Sequence, residues 1–313
     1  MKQGVFLVTG CGGDIGTSVG RILKDLGVAR TVVGCDLSNE NAGKFVFDAC
    51  ESVPRADDPE YLSGLETVVN KYTVDAVFPI SEGEIRFFHK NGIRKLAGVP
   101  LVLANDQAIG VGLDKLLTNR FLEANDLPHP WTHIAKEHGP EKLPCIMKSR
   151  FGHGSKDVQV VTDDASVAYF GARRPEDIWQ EYLSPDDEEY TCGLYGCADG
   201  SVRHIIFRRT LVGGLTGSGE VVENSEIKKV LIAVAQSVNL RGSINVQLRL
   251  TGKGPMIFEI NPRFSSTVAF RHKLGFNDVL WALEEVLGLP VSPYVAPREG
   301  VKFYRGYTQH IES

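Results

Sequence analysis

The hydrophobic pattern of the first third of the chain alternates between two periods. Short apolar runs rich in Val, Ile and Phe are typical of buried strands, and the stretches between them have the apolar spacing of amphipathic helices. The pattern predicts strands over residues 5–9, 31–35 and 76–80 and helices over 15–26 and 60–72. Because strand-helix-strand order favours a parallel sheet, we expect a Rossmann-like α/β domain over residues 1–105, with a ligand site at the carboxyl ends of its strands.

The pattern changes near residue 105. A helix over 114–125 leads to a strand at 145–148, a helix over 164–172 and strands over 178–183 and 190–195. A helix over 225–238, two adjacent strands over 242–250 and 255–260 and a helix over 278–287 follow. This order predicts an α+β fold with antiparallel hairpins, which we divide into residues 106–177 and 178–313.

Charge and composition exclude several classes of protein. The chain has 39 acidic and 34 basic residues, a net charge of −5, and no run of like charges of the kind that binds nucleic acid. No apolar stretch approaches the roughly 18 residues of a membrane-spanning helix, and the start of the sequence lacks the pattern of a signal peptide. We therefore expect a cytoplasmic protein that binds neither nucleic acid nor membrane. The six cysteines show no Cys-x-x-Cys spacing, which disfavours a zinc site or a disulfide framework.

A glycine-rich loop follows the first predicted strand. Residues 8–16 have the sequence VTGCGGDIG and open the first predicted helix, a context in which backbone amides bind phosphate. Asp36 ends the next strand, where a carboxylate accepts a ribose hydroxyl in dinucleotide-binding folds. An NAD(P)-dependent oxidoreductase or epimerase is therefore one hypothesis. The similar short-chain reductases use a tyrosine four residues before a lysine, and none of the nine tyrosines here has that spacing.

A more specific set of residues lies in the later two thirds. Lys115 opens a predicted helix, and Lys148 ends an apolar run before a glycine loop that contains Gly152, Gly154 and Ser155. The sequences WQEYL at 179–183, EEYT at 188–191, NVQ at 245–247 and FEINPR at 258–263 follow in order. Taken together, these motifs resemble the ATP-grasp ligases, most closely those similar to the large chain of carbamoyl-phosphate synthetase, over roughly residues 5–290.

The two adjacent strands also predict a cluster of oxygen ligands. Glu259 and Asn261 lie two apart and point to one face of a strand, as do Asn245 and Gln247 on the strand before it. A hairpin would bring these side chains together, and one carboxylate with amide oxygens suits a magnesium ion that already carries nucleotide phosphates. Arg263 follows on the face of Asn261, where a guanidinium can hold a γ-phosphate or an acyl phosphate.

The resemblance implies a fold, an activity and a set of site residues. The fold would be a pre-ATP-grasp domain over 1–105, a small lid subdomain over 106–177 and a large ATP-grasp subdomain over 178–313. The activity would be ADP-forming ligation of a carboxylate to an amine, with ATP and Mg2+, or Mn2+ in its place, as cofactors. Arg263 and Lys148 would be catalytic, and Gln247, Glu259 and Asn261 would bind the metal. ATP would be bound by Lys115, Lys148, Gly152, Gly154, Ser155, Glu181, Leu183 and Glu189, with Glu188 as the alternative to Glu189 at the ribose.

The substrates would be a small carboxylate and a small amine, such as a metabolite, an amino acid or a sugar precursor. Their site would lie between the N-terminal glycine loop and the later strands, with six candidate residues: Gly12, Gly13, Asp36, Glu82, Arg208 and Arg271. Arg209, beside Arg208, is a further candidate. A nucleotide-binding protein without catalysis is the second alternative function, and a homodimer is common among similar proteins.

Overall fold

The computed structural model describes residues 3–152 and 157–311. Its N-terminal part is built on a four-stranded parallel sheet with the strand order β3-β2-β1-β4. The elements are β1 Gly4–Thr9, α1 Asp14–Asp25, β2 Ala29–Asp36, a 3-10 helix Ala42–Phe45, β3 Ala49–Ser52, α2 Tyr61–Tyr72, β4 Ala76–Phe78, α3 Glu82–Lys90, β5 Lys95–Leu96 and β6 Val99–Pro100. The predicted parallel sheet is confirmed, whereas β3 and α3 were not predicted.

The turn between β1 and α1 needs glycine for steric reasons. A side-chain carbon on Gly16 would lie 2.2 Å from the carbonyl oxygen of Gly10, so the helix can start this close to the strand only without one. This turn opens at the carboxyl end of β1, where the sequence predicted a ligand site.

The middle part of the chain forms a small antiparallel sheet with the strand order β7-β10-β8-β9. Its elements, with the helices that precede it, are α4 Asp106–Gly112, α5 Lys115–Ala124, β7 Thr132–Ile134, β8 Cys145–Lys148, β9 Gln159–Val161, α6 Asp164–Arg173 and β10 Ile178–Glu181. Cys145, Met147, Val161 and Trp179 form its core, against which Phe170 of α6 packs. Because β10 pairs with β7 and β8, this sheet extends to residue 181, past the predicted boundary at 177.

The last part is a six-stranded antiparallel sheet with the order β15-β14-β11-β12-β13-β16. Its elements are β11 Glu189–Gly196, β12 Val202–Val212, β13 Leu215–Val221, α7 Ser225–Ser237, β14 Gly242–Thr251, β15 Gly254–Asn261, α8 Val268–Lys273, α9 Asp278–Val286 and β16 Lys302–Tyr304. Apolar residues of α4 and α7 share a core with one face of this sheet, and those of α8 and α9 share a core with the other. The α+β prediction is confirmed.

The hairpin of β12 and β13 was missed because its glycines were interpreted as a loop. Gly213 and Gly214 have positive φ angles of 59° and 79°, which a tight two-residue hairpin turn requires. The remaining glycines of this stretch, Gly217 and Gly219, lie inside β13. Among the described residues, no helix is both long and apolar enough to cross a membrane.

Candidate active site

The hairpin of β14 and β15 brings the predicted oxygen ligands together. Gln247 lies opposite Glu259 and Asn245 opposite Asn261, so all four side chains point to one face of the six-stranded sheet. This juxtaposition was predicted from the period of two, and the register confirms it.

A cavity of about 500 Å3 lies between the small sheet and this face. Most of the residues predicted to bind ATP are among those that line it: Lys115, Lys148, Gly152, Glu181, Leu183 and Glu189. Two of the predicted metal ligands, Gln247 and Glu259, line it as well. Gly154 and Ser155, which were also predicted, lie outside the described residues. We call this space the first cavity.

Lys148 ends β8 and is only 6% exposed. Its ammonium donates to the carbonyl oxygen of Phe258 at 3.3 Å. Burial lowers the pKa of Lys148 to about 8, Glu259 acts in the opposite direction, and nearby Lys115 lowers the pKa further. A buried ammonium whose charge is this poorly compensated favours an anionic ligand.

Lys115 is positioned by an ion pair between two elements. The carboxylate of Asp114 caps α5 and accepts two hydrogen bonds from Arg150, just after β8, at 2.6 and 2.9 Å. This pair ties the start of α5 to the loop after β8, and the Lys115 ammonium donates to the carbonyl of Gly152 at 2.6 Å. Two cations from distant parts of the sequence, Lys115 and Lys148, therefore line the same cavity.

Glu181 and Leu183 mark the end of the cavity beyond β10. The N–H of Glu181 donates to Trp131 at 3.0 Å, and the carbonyl of Leu183 accepts from Arg249 at 2.6 Å. The N–H of Leu183 has no hydrogen-bond partner within residues 3–152 and 157–311, so a residue that lines the cavity keeps a free backbone donor.

The two neighbouring glutamates at the start of β11 point to opposite faces. Glu189 lines the first cavity, where its carboxylate accepts from Arg209 at 2.7 Å and from Arg249 at 2.6 Å. Glu188 is not among the described residues that line it, and its carboxylate accepts from the Tyr190 hydroxyl at 2.5 Å. The geometry therefore favours Glu189 over Glu188 for contact with a ligand in this cavity.

A second cavity of about 390 Å3 lies between the N-terminal sheet and the same face of the six-stranded sheet. Gly13, Asp36, Glu82, Asn261 and Arg263 line it, all of them predicted site residues. Gly12 lies beside it, where its N–H donates to the Asp36 carboxylate at 2.9 Å. Arg209, Gln247 and Glu259 line both cavities, so the two spaces meet at the predicted metal ligands.

Arg263 joins the N-terminal part of the chain to the six-stranded sheet at this junction. Its guanidinium donates to Glu82 at 2.9 Å and to the side-chain oxygen of Asn261 at 3.2 Å. The side chain is 10% exposed, so the charge faces the cavity without being open to bulk solvent.

Two predicted residues are not brought to either cavity. Arg208 lies on the opposite face of β12 from Arg209, where it is 46% exposed and pairs with Glu220 at 2.5 Å. Arg271 is fully buried and pairs with Asp278 at 3.1 Å, and it also donates to Asn245. The structure thus gives Arg208 a place on the surface and Arg271 a place in the interior against Asn245, and neither lines the described part of the site.

Several lining residues were not among the predicted site residues, chiefly Arg249, Tyr182, Asp14 and Ser266. Arg209, the further candidate beside Arg208, lines both cavities. Arg209 could have been preferred to Arg208, because Ile205, Phe207 and Arg209 alternate on one face of β12. Since β12 itself was not predicted, that signal was not available.

Within the described ranges, no three His, Cys, Asp or Glu side chains form a cluster that could hold a metal.

Comparison with known proteins gives one family profile and two groups of relatives. The profile, described as ATP-grasp in the biosynthetic pathway with Ter operon, matches residues 174–307. The D-alanine--D-alanine ligase of Mycobacterium leprae is 25% identical over 258 residues, which cover 68% of this chain and 64% of that protein. The corresponding ligase of Mycobacterium tuberculosis is 28% identical over 233 residues, 60% of each chain. The chain thus spans a little under two thirds of the length of these relatives.

Solved structures with the same fold cover nearly all of the chain. N5-carboxyaminoimidazole ribonucleotide synthetase from Thermus thermophilus has a TM-score of 0.72 at 17% identity and covers 94% of this chain and 81% of that one. L-amino acid ligase from Bacillus licheniformis has a TM-score of 0.72 at 17% identity, with 92% and 75% covered. The comparisons support the ligase hypothesis and give no support to the oxidoreductase alternative.

Proposed function

Since the chain belongs to the ATP-grasp superfamily, we propose that it is an ATP-dependent, ADP-forming ligase that joins a carboxylate to an amine. The observation that carries this proposal is the junction of the two cavities at Arg209, Gln247 and Glu259. Phosphoryl transfer from a nucleotide to a substrate needs two binding spaces that meet at a charged point, and this geometry provides them.

ATP would occupy the first cavity. Lys115 and Lys148 are the cations that would contact its phosphates, with the backbone near Gly152 beside them. The base would lie at the end formed by Glu181 and Leu183, and the ribose would lie near Glu189. These roles are predictions that the placement of the residues supports.

The residues at the junction fit a magnesium ion. The Glu259 carboxylate makes no hydrogen bond to another described residue, while Gln247 and Asn261 each have a side-chain oxygen that accepts from an arginine and keeps a second lone pair. One free carboxylate and two amide oxygens form a hard donor set that is incomplete without phosphate oxygens and water, as is usual for Mg2+ bound with a nucleotide. When bound, the ion would neutralise phosphate charge.

The chemistry needs two successive displacements. A carboxylate oxygen attacks the γ-phosphorus of ATP, and the bond between this phosphorus and the β,γ-bridging oxygen breaks. ADP departs, and the carboxylate has become an acyl phosphate. The nitrogen of the amine then attacks the acyl carbon, and phosphate leaves with the electron pair of the broken bond. The attacking nitrogen belongs to the neutral amine, which gives up one proton as the amide forms, and this proton ends on the phosphate. Arg263 and Arg209 lie where they would hold the anionic groups during both steps.

The substrates would occupy the second cavity. Its lining carries carboxylates on the N-terminal side, including Asp36, and Arg263 and Arg209 on the other side. A small molecule with a carboxylate and an amine would be compatible with both charges. The names of the relatives, which include ligases for D-alanine and for L-amino acids, agree with substrates of this class.

An ADP-release screen over pairs of small carboxylates and amines, including the amino acids, tests the proposal. We expect at least one pair to give magnesium-dependent ADP formation, and we expect Lys148→Ala to reduce it by roughly 10²-fold or more. Lys142→Ala, which removes an exposed lysine from the same part of the chain, is the matched control. ADP formation by Lys148→Ala at the control rate would remove Lys148 from the proposed site.

Ligand-dependent stability separates the ligase from the other two hypotheses. A ligand that binds only the native state raises the unfolding temperature, so we expect stabilisation by ATP with Mg2+ and none by NADP. Stabilisation by NADP alone would favour the oxidoreductase. Stabilisation by ATP without ADP release for any pair would favour a nucleotide-binding protein without catalysis.

A further inference from the structure

The segment that follows α9 returns to the second cavity. β16 pairs with β13 at the edge of the six-stranded sheet, and Arg305 comes directly after it. The Arg305 side chain is 12% exposed and packs over the ring of Phe270, 5.3 Å from its centre. This arginine therefore points inward, although it lies in a segment with no predicted role.

The guanidinium of Arg305 contacts three separate elements at once. Nε donates to the carbonyl of Thr216 at the start of β13 at 2.8 Å, and Nη2 donates to the carbonyl of Ser266 before α8 at 2.5 Å. Nη1 donates to the carboxylate of Asp14 in the first turn of α1. One planar cation thus joins the N-terminal part of the chain to two parts of the C-terminal sheet region.

These three contacts have the second cavity in common. Asp14, Ser266 and Leu215, the neighbour of Thr216, all line it. Among the described residues that line the cavity, Arg305 itself is absent, so it stands behind the wall. Its contacts set the distance between wall elements that come from different parts of the fold.

Asp14 is left with a free acceptor. One carboxylate oxygen accepts from Arg305, and the other is buried without a hydrogen-bond partner among the described residues. Burial raises the pKa of Asp14, and Arg305 opposes this effect. A buried acceptor without a partner costs free energy unless a ligand supplies a donor, and Asp36 and Glu82 add two more carboxylates to the same side of the cavity.

We propose that Arg305 is a positioning residue of the second cavity, which fixes Asp14 so that its carboxylate accepts a hydrogen bond from the amine substrate. The proposal rests on the proposed ligase function for the identity of that substrate. Arg305 does not touch the substrate in this arrangement. It acts through Asp14 and through the wall elements at Thr216 and Ser266.

The test uses the full chain and the amine that gives the highest ADP release in the wild-type screen. Arg305→Ala is expected to raise KM for this amine about tenfold or more, which is the effect of losing one charge-assisted hydrogen bond. KM for ATP should stay within about twofold of the wild-type value, because Arg305 contacts none of the described residues that line the first cavity. Asp14→Asn should raise the amine KM similarly, and the double variant should be little worse than either single variant.

Two further variants separate positioning from general stability. Arg305→Lys keeps the charge and should recover part of the amine KM, and Arg298→Ala, which removes an exposed arginine from the same segment, should match the wild type. An Arg305→Ala enzyme with unchanged amine KM, or with amine and ATP KM raised alike, would overturn the proposal. If the wild-type chain releases ADP with no pair, the ligase function fails and the role of Arg305 fails with it.

Discussion

The two cavities share three residues but differ in how they are built. The first is lined mainly by residues of strands and of loops directly beside strands, and five of its charged groups, Lys115, Lys148, Glu181, Glu189 and Glu259, were predicted from the sequence. The second is assembled from the glycine loop, the ends of β2 and β4, the β12–β13 turn and the segment before α8. Specificity within a fold resides in such loops. Under the proposed function, the ATP site is therefore built largely from motifs that the sequence reveals, whereas much of the substrate site is built from loops.

The largest expected effect is at the junction, where a change should disable both cavities. Glu259→Gln removes the single carboxylate of the proposed metal site and keeps its shape, so magnesium binding should weaken and ADP release should fall by roughly 10²- to 10³-fold. The rate of ADP release at several magnesium concentrations measures both the loss of activity and the weaker magnesium binding. Glu123→Gln, on the exposed face of α5, is the control. If Glu259→Gln kept the wild-type rate and magnesium dependence, the metal site would have to lie elsewhere.

The next effect separates two adjacent arginines. Arg209 lies at the junction and is 7% exposed, whereas Arg208 lies on the opposite face of β12. Arg209→Ala should lower ADP release about 10²-fold and should destabilise the fold by roughly 1–3 kcal/mol through lost charged hydrogen bonds. Arg208→Ala should change ADP release by less than about twofold, since exposed pairs contribute little.

Steady-state kinetics and denaturant unfolding of these two variants measure both quantities. Arg208 was one of the candidate substrate residues, so the activity of Arg208→Ala tests that prediction directly. Equal losses of activity in the two variants would show that the face of β12 does not decide the function of its arginines.

The sequence predicted the first cavity better than the second for a physical reason. The Gln247 and Glu259 pair follows from strand alternation and hairpin pairing, which are local rules. Lys115 lies beside Gly152 because the Asp114 and Arg150 ion pair joins their elements, which no local rule predicts. Its assignment to the ATP site came from the family resemblance. Arg305 reaches Asp14 across 291 residues, and no local pattern encodes a contact of that range.

The fold shows the same limit. Strands and helices with clear apolar periodicity were predicted to within a few residues, as in α2 and β8. The β12–β13 hairpin was missed because tertiary pairing stabilises a glycine-rich strand that has low strand propensity of its own. Arg271 was a substrate candidate because a cation could bind the substrate carboxylate, yet its guanidinium pairs with Asp278 and Asn245 in the interior.

The pH dependence of ATP binding should sharpen the description of the first cavity. The pKa of Lys148 is about 8 in the folded protein, against 10.5 for an ordinary solvated lysine. Between these two pH values the unfolded chain binds more protons than the folded one, so the free energy of unfolding rises with pH. Below pH 8 the buried charge costs on the order of 3 kcal/mol, which Lys148→Met should recover. ATP should bind more tightly when Lys148 is protonated, so the affinity of the protein for ATP should fall by up to about tenfold per pH unit above pH 8.

Denaturant unfolding of the wild type and Lys148→Met from pH 7 to 10, together with ATP titrations, measures these two trends. The difference between the two proteins isolates Lys148 from other titrating groups. A difference in stability that did not shrink as pH rose would contradict a lowered Lys148 pKa.

The smallest expected effect decides between neighbouring glutamates at the edge of the first cavity. Glu189 lines that cavity and Glu188 does not line its described part, so Glu189→Gln should raise KM for ATP about tenfold, the effect of weakening one charged hydrogen bond to the ribose. Glu188→Gln should stay within about twofold. Comparing ATP with 2′-deoxy-ATP and 3′-deoxy-ATP sharpens the test, because the Glu189→Gln variant should lose discrimination against the analogue that lacks the bound hydroxyl. Loss of that discrimination in Glu188→Gln instead would move the ribose to the other face of β11, and the first cavity would then lose the contact that orients its nucleotide.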